Sequence, residues 1–358
     1  MTKQWQRRAL IISAGLVLIA LGGCALFQTG VKAVIALDVT EGTVPLTVAF
    51  DGTASTSPDG ISTYLWSFGT GDESYDASGS YTFQHAGTFV VQLTVRANNG
   101  KTVSAQIEVT VQPAIWITDE NLDRVYKLDM SGAVLTSFDL PLKEPYGIAL
   151  AEIAGQPTLV IACANEGFQR LLYLDPSTGG VRDQFSAPGQ SPRQVTYGAT
   201  GQKQIWHVDA LSRKLYRLNP SNAQIYESYG EAYFKATSPQ VALVPFLWTP
   251  EGLDWTPETN APGNLWYLEG ETHLFYKIRM IAGYDIMSNT QLQIDGDPVE
   301  ITGEIFPVAA IDMYGGYLWA IDVDHHRIVK LDPETGQIAG TPISGFPGSA
   351  PAGLEIQF

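Results

Sequence analysis

Cysteine is nearly absent from this chain. Two occur in 358 residues, Cys24 and Cys163, so no disulfide framework organises the fold. Charge is also sparse, at 16% of residues, and positive charge is the scarcer: 21 Lys and Arg against 37 Asp and Glu, for a formal net charge of −16. Nucleic acid as a partner is excluded, because phosphate contacts need clustered Lys and Arg. Low charge combined with 45% hydrophobic residues excludes a largely disordered chain. The apolar run near the N-terminus, Ala9 to Leu21, has 13 residues, short of the roughly 20 that a membrane-spanning helix needs. Nor is there a Ser-His-Asp pattern, a phosphate-binding glycine loop or a Cys/His zinc spacing.

Turn formers and aromatics are abundant instead. With 35 Gly, 21 Pro and 11% aromatic residues, the composition suits a turn-rich all-β protein, and the length suits two or three domains of about 100–200 residues each. At the N-terminus, Lys3, Arg7 and Arg8 precede the short apolar run and then "LGGC", Leu21 to Cys24; this order is that of a secretion signal. The "LGGC" motif resembles the lipobox of bacterial lipoproteins. That resemblance implies a signal peptide over residues 1–23, cleavage before Cys24, lipidation of the Cys24 thiol and a tether over residues 24–30. The membrane is then a partner through the N-terminal lipid. Ala25 rather than Asp follows the cysteine, which in Gram-negative lipoproteins favours the outer membrane, so the expected location is the cell envelope. Lipidation of Cys24 leaves Cys163 with no disulfide partner, and within "TLVIACANEG" it reads as a small buried hydrophobe.

Residues 31–113 alternate short apolar runs with turns. "AVIALDVT", "PLTVAFDG", "STYLWSFG", "SYTFQ", "TFVVQLTV" and "SAQIEVTV" are candidate strands, spaced as in a sandwich. The last two bracket "RANNGKT", whose Asn-Gly is a hairpin signal. "PLTVAFDGTAS", "SPDG", "YLWSFGTG" and "HAGTFVVQLTV" resemble the PKD domain, an immunoglobulin-like β-sandwich. Where that family usually reads W-D-F-G-D-G, this chain has Ser67 and Thr70 in place of the two acids, so a cation role for the loop does not carry over. Trp66 is expected as the core aromatic. Such a module suits a spacer, on a tether of residues 25–30 that reaches at most about 20 Å. Almost no linker separates it from the next domain, so the coupling between the two is expected to be stiff.

Residues 114–358 repeat. "IWITDENLDRVYKLD", "IWHVDALSRKLYRLN", "LWYLEGETHLFYKI" and "LWAIDVDHHRIVKLD" align with Trp116, Trp206, Trp266 and Trp319 near their starts. An acid stands three residues later: Asp119, Asp209, Glu269, Asp322. A weaker copy, "LVIACANEGFQRLLYLD", has Val160 for the Trp and Cys163 for the acid. Short strands led by Pro alternate with these: "PYGIAL", "PRQVTY", "PEGLDW", "PVAAIDM" and "PAGLEI". The unit is inner strand, middle hairpin, outer strand, as in a β-propeller blade. The chain opens on a middle hairpin and ends on an inner-type strand, so the last strand is expected to complete the first blade and remove two sheet edges. This gives five blades, with a sixth open between Tyr226 and Pro250. The words "TDENLDRVYKLD" and "DVDHHRIVKLD" resemble NHL-type repeats and related six-bladed propellers, which implies a fold more than a function.

The recurring acid is expected to accept backbone N–H groups in the next turn, and the recurring Trp to pack between blades. Asp324, His325 and His326 fall on a hairpin turn, where adjacent histidines point apart into solvent; no metal site is expected there. "PEGLDW" resembles the E-G-x-x-W motif of metal-dependent gluconolactonase-like propellers, which would make Glu251 a ligand and Asp312 its one companion. The remaining Asn and Asp ligands of that family have no counterpart, so metal and cofactor are expected to be none. The segment 226–255 breaks the blade rhythm and is rich in aromatics; Tyr233, Phe246, Trp248, Glu251 and Trp255 are its candidate ligand-binding residues. The expectation is an envelope-anchored, all-β lipoprotein: a PKD-like spacer, then a five- or six-bladed propeller binding an envelope protein or polysaccharide. It is read as a binding protein rather than an enzyme. The alternative is a metal-dependent lactonase or hydrolase using Glu251 and Asp312.

Overall fold

The computed structural model describes residues 30–164, 167–198, 203–230, 234–236, 250–258, 261–270, 272–280, 292–302, 305 and 307–358. These divide into two compact units, one running to Pro113 and the other Ala114–Gln357.

The first unit is a sandwich of two sheets. One contains Ala36–Leu37, Leu46–Asp51 and Ser78–Phe83; the other contains Glu41–Thr43, Thr102–Gln112, Gly87–Ala97, Ile61–Ser67 and Glu73–Ser74. Strict alternation in Gly87–Ala97 sends Val91, Leu93, Val95 and Ala97 inward, as one-sided burial of a strand requires. Trp66 is fully buried, 4.8 Å from the Phe50 ring, and its indole N–H donates to the Asp76 carbonyl at 3.0 Å. The Asn99-Gly100 turn joins the two long antiparallel strands.

Among the described residues the second unit is a ring of five sheets, each based on four antiparallel strands. Blade 1 runs outward as Pro351–Gln357, Ala114–Asp119, Arg124–Leu128 and Val134–Asp139. Blade 2 is Pro145–Ile153, Gln156–Cys163, Arg170–Leu174 and Val181–Ser186, and blade 3 is Pro192–Gly198, Gln204–Asp209, Lys214–Leu218 and Ile225–Gly230. Blade 4 is Pro250–Glu258, Ala261–Glu269, Leu274–Met280 and Leu292–Ile294, and blade 5 is Val308–Tyr314, Tyr317–Asp322, Arg327–Leu331 and Ile343–Ser344. The C-terminal strand pairs antiparallel with Ala114–Asp119, so the two ends of the ring share one sheet. The five inner strands neighbour one another in a closed circuit, blade 5 meeting blade 1. That circuit resolves the blade number. Blade 3 abuts blade 4 directly, and Phe234–Ala236, from the segment where a sixth blade was open, pairs instead with the outer strand of blade 4.

One hydrophobic core fills each of the five interfaces between blades. Trp116 packs from blade 1 against Leu159 and Ile161 of blade 2, and Trp206 from blade 3 against Leu253 and Leu265 of blade 4. Trp319 of blade 5 packs on Ile115 and Ile117 of blade 1. A fully buried Trp removes roughly 200 Å² from water, worth about 5 kcal/mol before ordering costs. In blade 2 the smaller Val160 takes the place of the Trp, in a core where Ala149, Ala162 and Tyr216 close up. The Lys after each Tyr or Val of the third strand lies opposite the Trp: Lys127, Lys277 and Lys330 place Nζ 5.3, 5.9 and 5.9 Å from the indole centres of Trp116, Trp266 and Trp319. A cation over an aromatic face is attracted by the ring quadrupole, which accounts for the recurring basic residue.

The recurring acid is a staple within the blade. Asp119 Oδ1 accepts the N–H groups of Asn121 at 3.0 Å and Leu122 at 2.8 Å; Oδ2 accepts those of Ser349 and, at 3.1 Å, Ala350. Asp209 does the same with Ser212 at 2.7 Å and Ser191 at 2.5 Å. Each carboxylate thus holds its own turn and the residues just before the inner strand. Four residues after the acid, Asp123, Arg213, His273 and His326 all adopt positive φ, 49–57°. At Asp322 the pattern bends: its carboxylate meets His325 Nδ1 at 2.9 Å and the Arg327 Nε–H at 2.7 Å. His326 stacks on Phe346 and contacts its carbonyl at 3.0 Å. His325 is exposed as expected, while His326 is half-buried against Phe346, which corrects the expectation that both face solvent.

Candidate functional site

The inner strands set the geometry of the propeller axis. Their third positions are Gly147, Gln194, Gly252, Ala310 and Gly353, aligned by their pairing with the second strands. Four are the smallest residues available, because neighbouring inner strands approach closely here: a Cβ on Gly147 would sit 2.6 Å from the Gln194 Cα. Gln194 is the exception, and it fills the axis. It is buried, and its Nε2 donates to the carbonyls of Ala309 at 3.0 Å and Ala352 at 3.2 Å, reaching from blade 3 to blades 5 and 1.

Two residues further along each inner strand lies a second ring: Ala149, Thr196, Asp254, Asp312 and Glu355, each paired with the Trp position of its blade. The acids bridge blades. Asp254 accepts the Met313 N–H at 2.9 Å and the Thr196 hydroxyl at 3.2 Å; Asp312 accepts the Ile356 N–H at 2.5 Å. Glu355 accepts a hydrogen bond from the Leu150 backbone. Burial is the first cause that raises all three acid pKa values, Asp254 to about 7; the neighbouring carboxylates add to the rise at Asp312 and Glu355. Among the described residues no group of three His, Cys, Asp or Glu is arranged to hold a metal ion.

Above the Gln194 plug, where the inner strands begin, a cavity of about 240 Å³ opens. Glu120, Tyr146 and Arg193, from blades 1, 2 and 3, supply its polar lining, while Val308, Ala309 and Ala352 supply apolar walls. The Arg193 guanidinium lies 4.3 Å from the Tyr146 ring centre. Tyr146 lies against both Arg193 and Glu120, and all three charges and dipoles act on one another. Burial raises the Glu120 carboxyl above its ordinary value against the pull of Arg193, and burial likewise raises Tyr146. The turns between second and third strands end at this same face, because the last residue of each second strand pairs with the first of the inner strand: Asp119 with Pro351, Cys163 with Pro145, Asp209 with Pro192. Those turns expose Leu122, Phe168 and Leu211 at 50%, 63% and 65%. A larger depression of about 440 Å³ lies beside Leu211 and Ser212, but no titratable side chain lines it, so the chemistry resides at the axial mouth.

The residues expected from sequence fare differently. Cys24, Tyr233, Phe246 and Trp248 lie outside the described residues, as does the Glu251 side chain. Trp255 is corrected: it is 7% exposed, stacked 6.3 Å from Trp206 in the core between blades 3 and 4, where an indole is too enclosed to meet a ligand. Asp312 is buried and bonded to the next blade. Glu251 sits at the bulge between Pro250 and Gly252, level with Ala309. Asp312 lies three residues further along, about 10 Å at the usual strand rise, and its carboxylate is engaged by the Ile356 N–H. The mouth residues Glu120, Tyr146 and Arg193 were missed. Their signal is positional, since Tyr146 and Arg193 directly follow the Pro that leads their strands.

Residues 32–111 match the PKD domain family. This chain is 37% identical over 77 residues to the collagenase ColA of Clostridium perfringens, covering 21% of this chain and 7% of that protein. It is also similar to the PKD1 domain of the Vibrio cholerae metalloprotease PrtV, at 31% identity over 23% of this chain and 96% of that one, with a TM-score of 0.20. Residues 32–111 form a PKD domain. The chain spans only about a fifteenth of the ColA length. Over 83% of this chain and 98% of the other, the structure is also similar to the nidogen/laminin complex, at 13% identity and a TM-score of 0.38. Within the PKD domain the "WSFGTG" loop is closed by its own side chains: Tyr81 donates to Asp72 at 2.6 Å and meets the Thr70 hydroxyl at 2.7 Å. Hydroxyls thus organise the loop that two acids would otherwise occupy.

Proposed function

We propose that this chain is an envelope lipoprotein, anchored through Cys24, whose PKD domain serves as spacer and whose propeller binds an envelope partner at the face where its inner strands begin. The observation that carries the reading is the distribution of polar groups along the axis. Gln194 closes the channel, and the deeper carboxylates are occupied in joining blades. What opens to solvent is a mouth with charged walls, flanked by exposed Leu122, Phe168 and Leu211. Large apolar side chains left exposed on the face that carries a concavity mark an interaction surface. The lactonase alternative loses support, because Asp312 is committed to the Ile356 backbone and lies a level below Glu251.

Photocrosslinkers placed at Leu122 and Leu211 in cells test the reading. The expected result is a discrete adduct from these positions, reduced by Arg193→Gln, and none from Ile225 or Val181 on the outer strands. Adducts from the outer strands alone, or lactone turnover by the purified protein, would overturn it. Mass spectrometry of the N-terminal peptide tests the anchor: a diacylglyceryl adduct on Cys24, absent in Cys24→Ala, is expected.

A further inference from the structure

The mouth holds a cation and an anion that the fold keeps apart. The Arg193 guanidinium carbon lies 4.3 Å from the Tyr146 ring centre, and a guanidinium on an aromatic face keeps N–H donors for other partners. No carboxylate of the described residues forms an ion pair with it. Glu120 lies two blades away, with Tyr146 of the blade between them against both, and Arg193 acts on it as a nearby opposite charge. Mutual neutralisation alone would have been met by a direct Arg–Glu contact, the stronger bidentate arrangement. Instead two opposite charges without an ion pair between them border the same cavity of about 240 Å³, with Val308, Ala309 and Ala352 among its other walls.

We infer that the mouth binds an amino-acid or dipeptide zwitterion, its carboxylate on Arg193, its ammonium on Glu120 and its side chain against Val308 and Ala352. The inference rests on the reading of this face as the binding surface. A dianion is opposed by Glu120 and the nearby Glu144, and a simple amine leaves Arg193 unmet. The size of the cavity excludes a folded partner from the floor, though the end of a chain fits.

Isothermal titration of the full chain in detergent with L-leucine, Leu-Leu, leucinamide and N-acetylleucine tests this. Leucine or Leu-Leu is expected to bind, and which of them binds separates a free amino acid from a chain end. Leucinamide and N-acetylleucine, each lacking one charge, should bind about 10- to 100-fold more weakly, the range for hydrogen bonds to a charged group. Arg193→Gln should cause the same loss with Arg193→Lys between, and Glu120→Gln should abolish the preference for a free ammonium. If Arg193→Gln melts early, the comparison of the four probes on the wild type decides. Absence of binding by both zwitterions at millimolar concentration, equal binding of leucinamide, or full affinity in folded Arg193→Gln would overturn the inference. Partner crosslinks from Leu122 in a protein that binds no zwitterion would sink this inference and leave the docking face standing; loss of both would sink the two together.

Discussion

Raising the pH from 5 to 8 should destabilise the propeller, and the inner carboxylates set the size of the effect. Asp254 titrates near 7 in the folded chain against an ordinary 3.8, with burial as the leading cause. Between those values the native state holds a proton that the unfolded chain releases, so stability falls as pH rises through the window and levels off above about 7. Each unit is worth about 1.4 kcal/mol, so the two units between pH 5 and 7 amount to about 3 kcal/mol from this group. Asp312 and Glu355, also raised, act in the same sense. His207, lowered by burial, acts in the opposite sense below about 6.5, so the difference between wild type and Asp254→Asn is the quantity to read. Asparagine can accept the Met313 N–H through its oxygen as the acid does, and the Thr196 hydroxyl, a donor to the acid, can rotate to accept from the amide nitrogen. Scanning calorimetry should show the Asp254 share as a melting temperature roughly 5–10 °C lower at pH 8 than at pH 5, at about 2–4 °C per kcal/mol for a unit of this size. Asp254→Asn should remove that share and leave what Asp312 and Glu355 contribute. A mutant with the same pH dependence as the wild type would refute the argument, because the cost would then not lie in ionising Asp254.

Gln194→Ala should cost about 2–4 kcal/mol, since two carbonyls at the axis lose their donor and a cavity opens; denaturant titration checks this, and an unchanged midpoint would show that the plug is dispensable. Cys163 is buried, and burial pushes its thiol up to about 12, so a thiol reagent at pH 8 should label it only after denaturation; rapid labelling of the native protein would contradict its placement between blades 1 and 2.

Much of the architecture was legible because it is local. The Trp, the acid three residues later and the basic residue on the third strand recur within each hairpin, and adjacent strands that pair through short turns leave their periodicity in the sequence. Trp66 was legible for the same reason, as a large aromatic in a strand that alternates. Closure of the ring by the last strand followed from the order of repeats alone.

The axis was not legible in this way. Gln194 meets Ala309 and Ala352 across 115 and 158 residues, and Asp312 meets Ile356 across 44. A glutamine among four small residues stands out only once those five positions are known to converge. Trp255 looked like a surface aromatic because it ends a segment without rhythm, yet its strand is the innermost of blade 4 and its ring falls between two blades. The five-fold count likewise waited on which inner strands touch. By itself the sequence determined the all-β class, the sandwich, the repeat unit and the closing strand, because hydrophobic periodicity and turn chemistry act over a few residues. Tertiary structure alone decided the number of blades, the buried carboxylate ring and the mouth of Glu120, Tyr146 and Arg193, because each depends on groups brought together only when the ring closes.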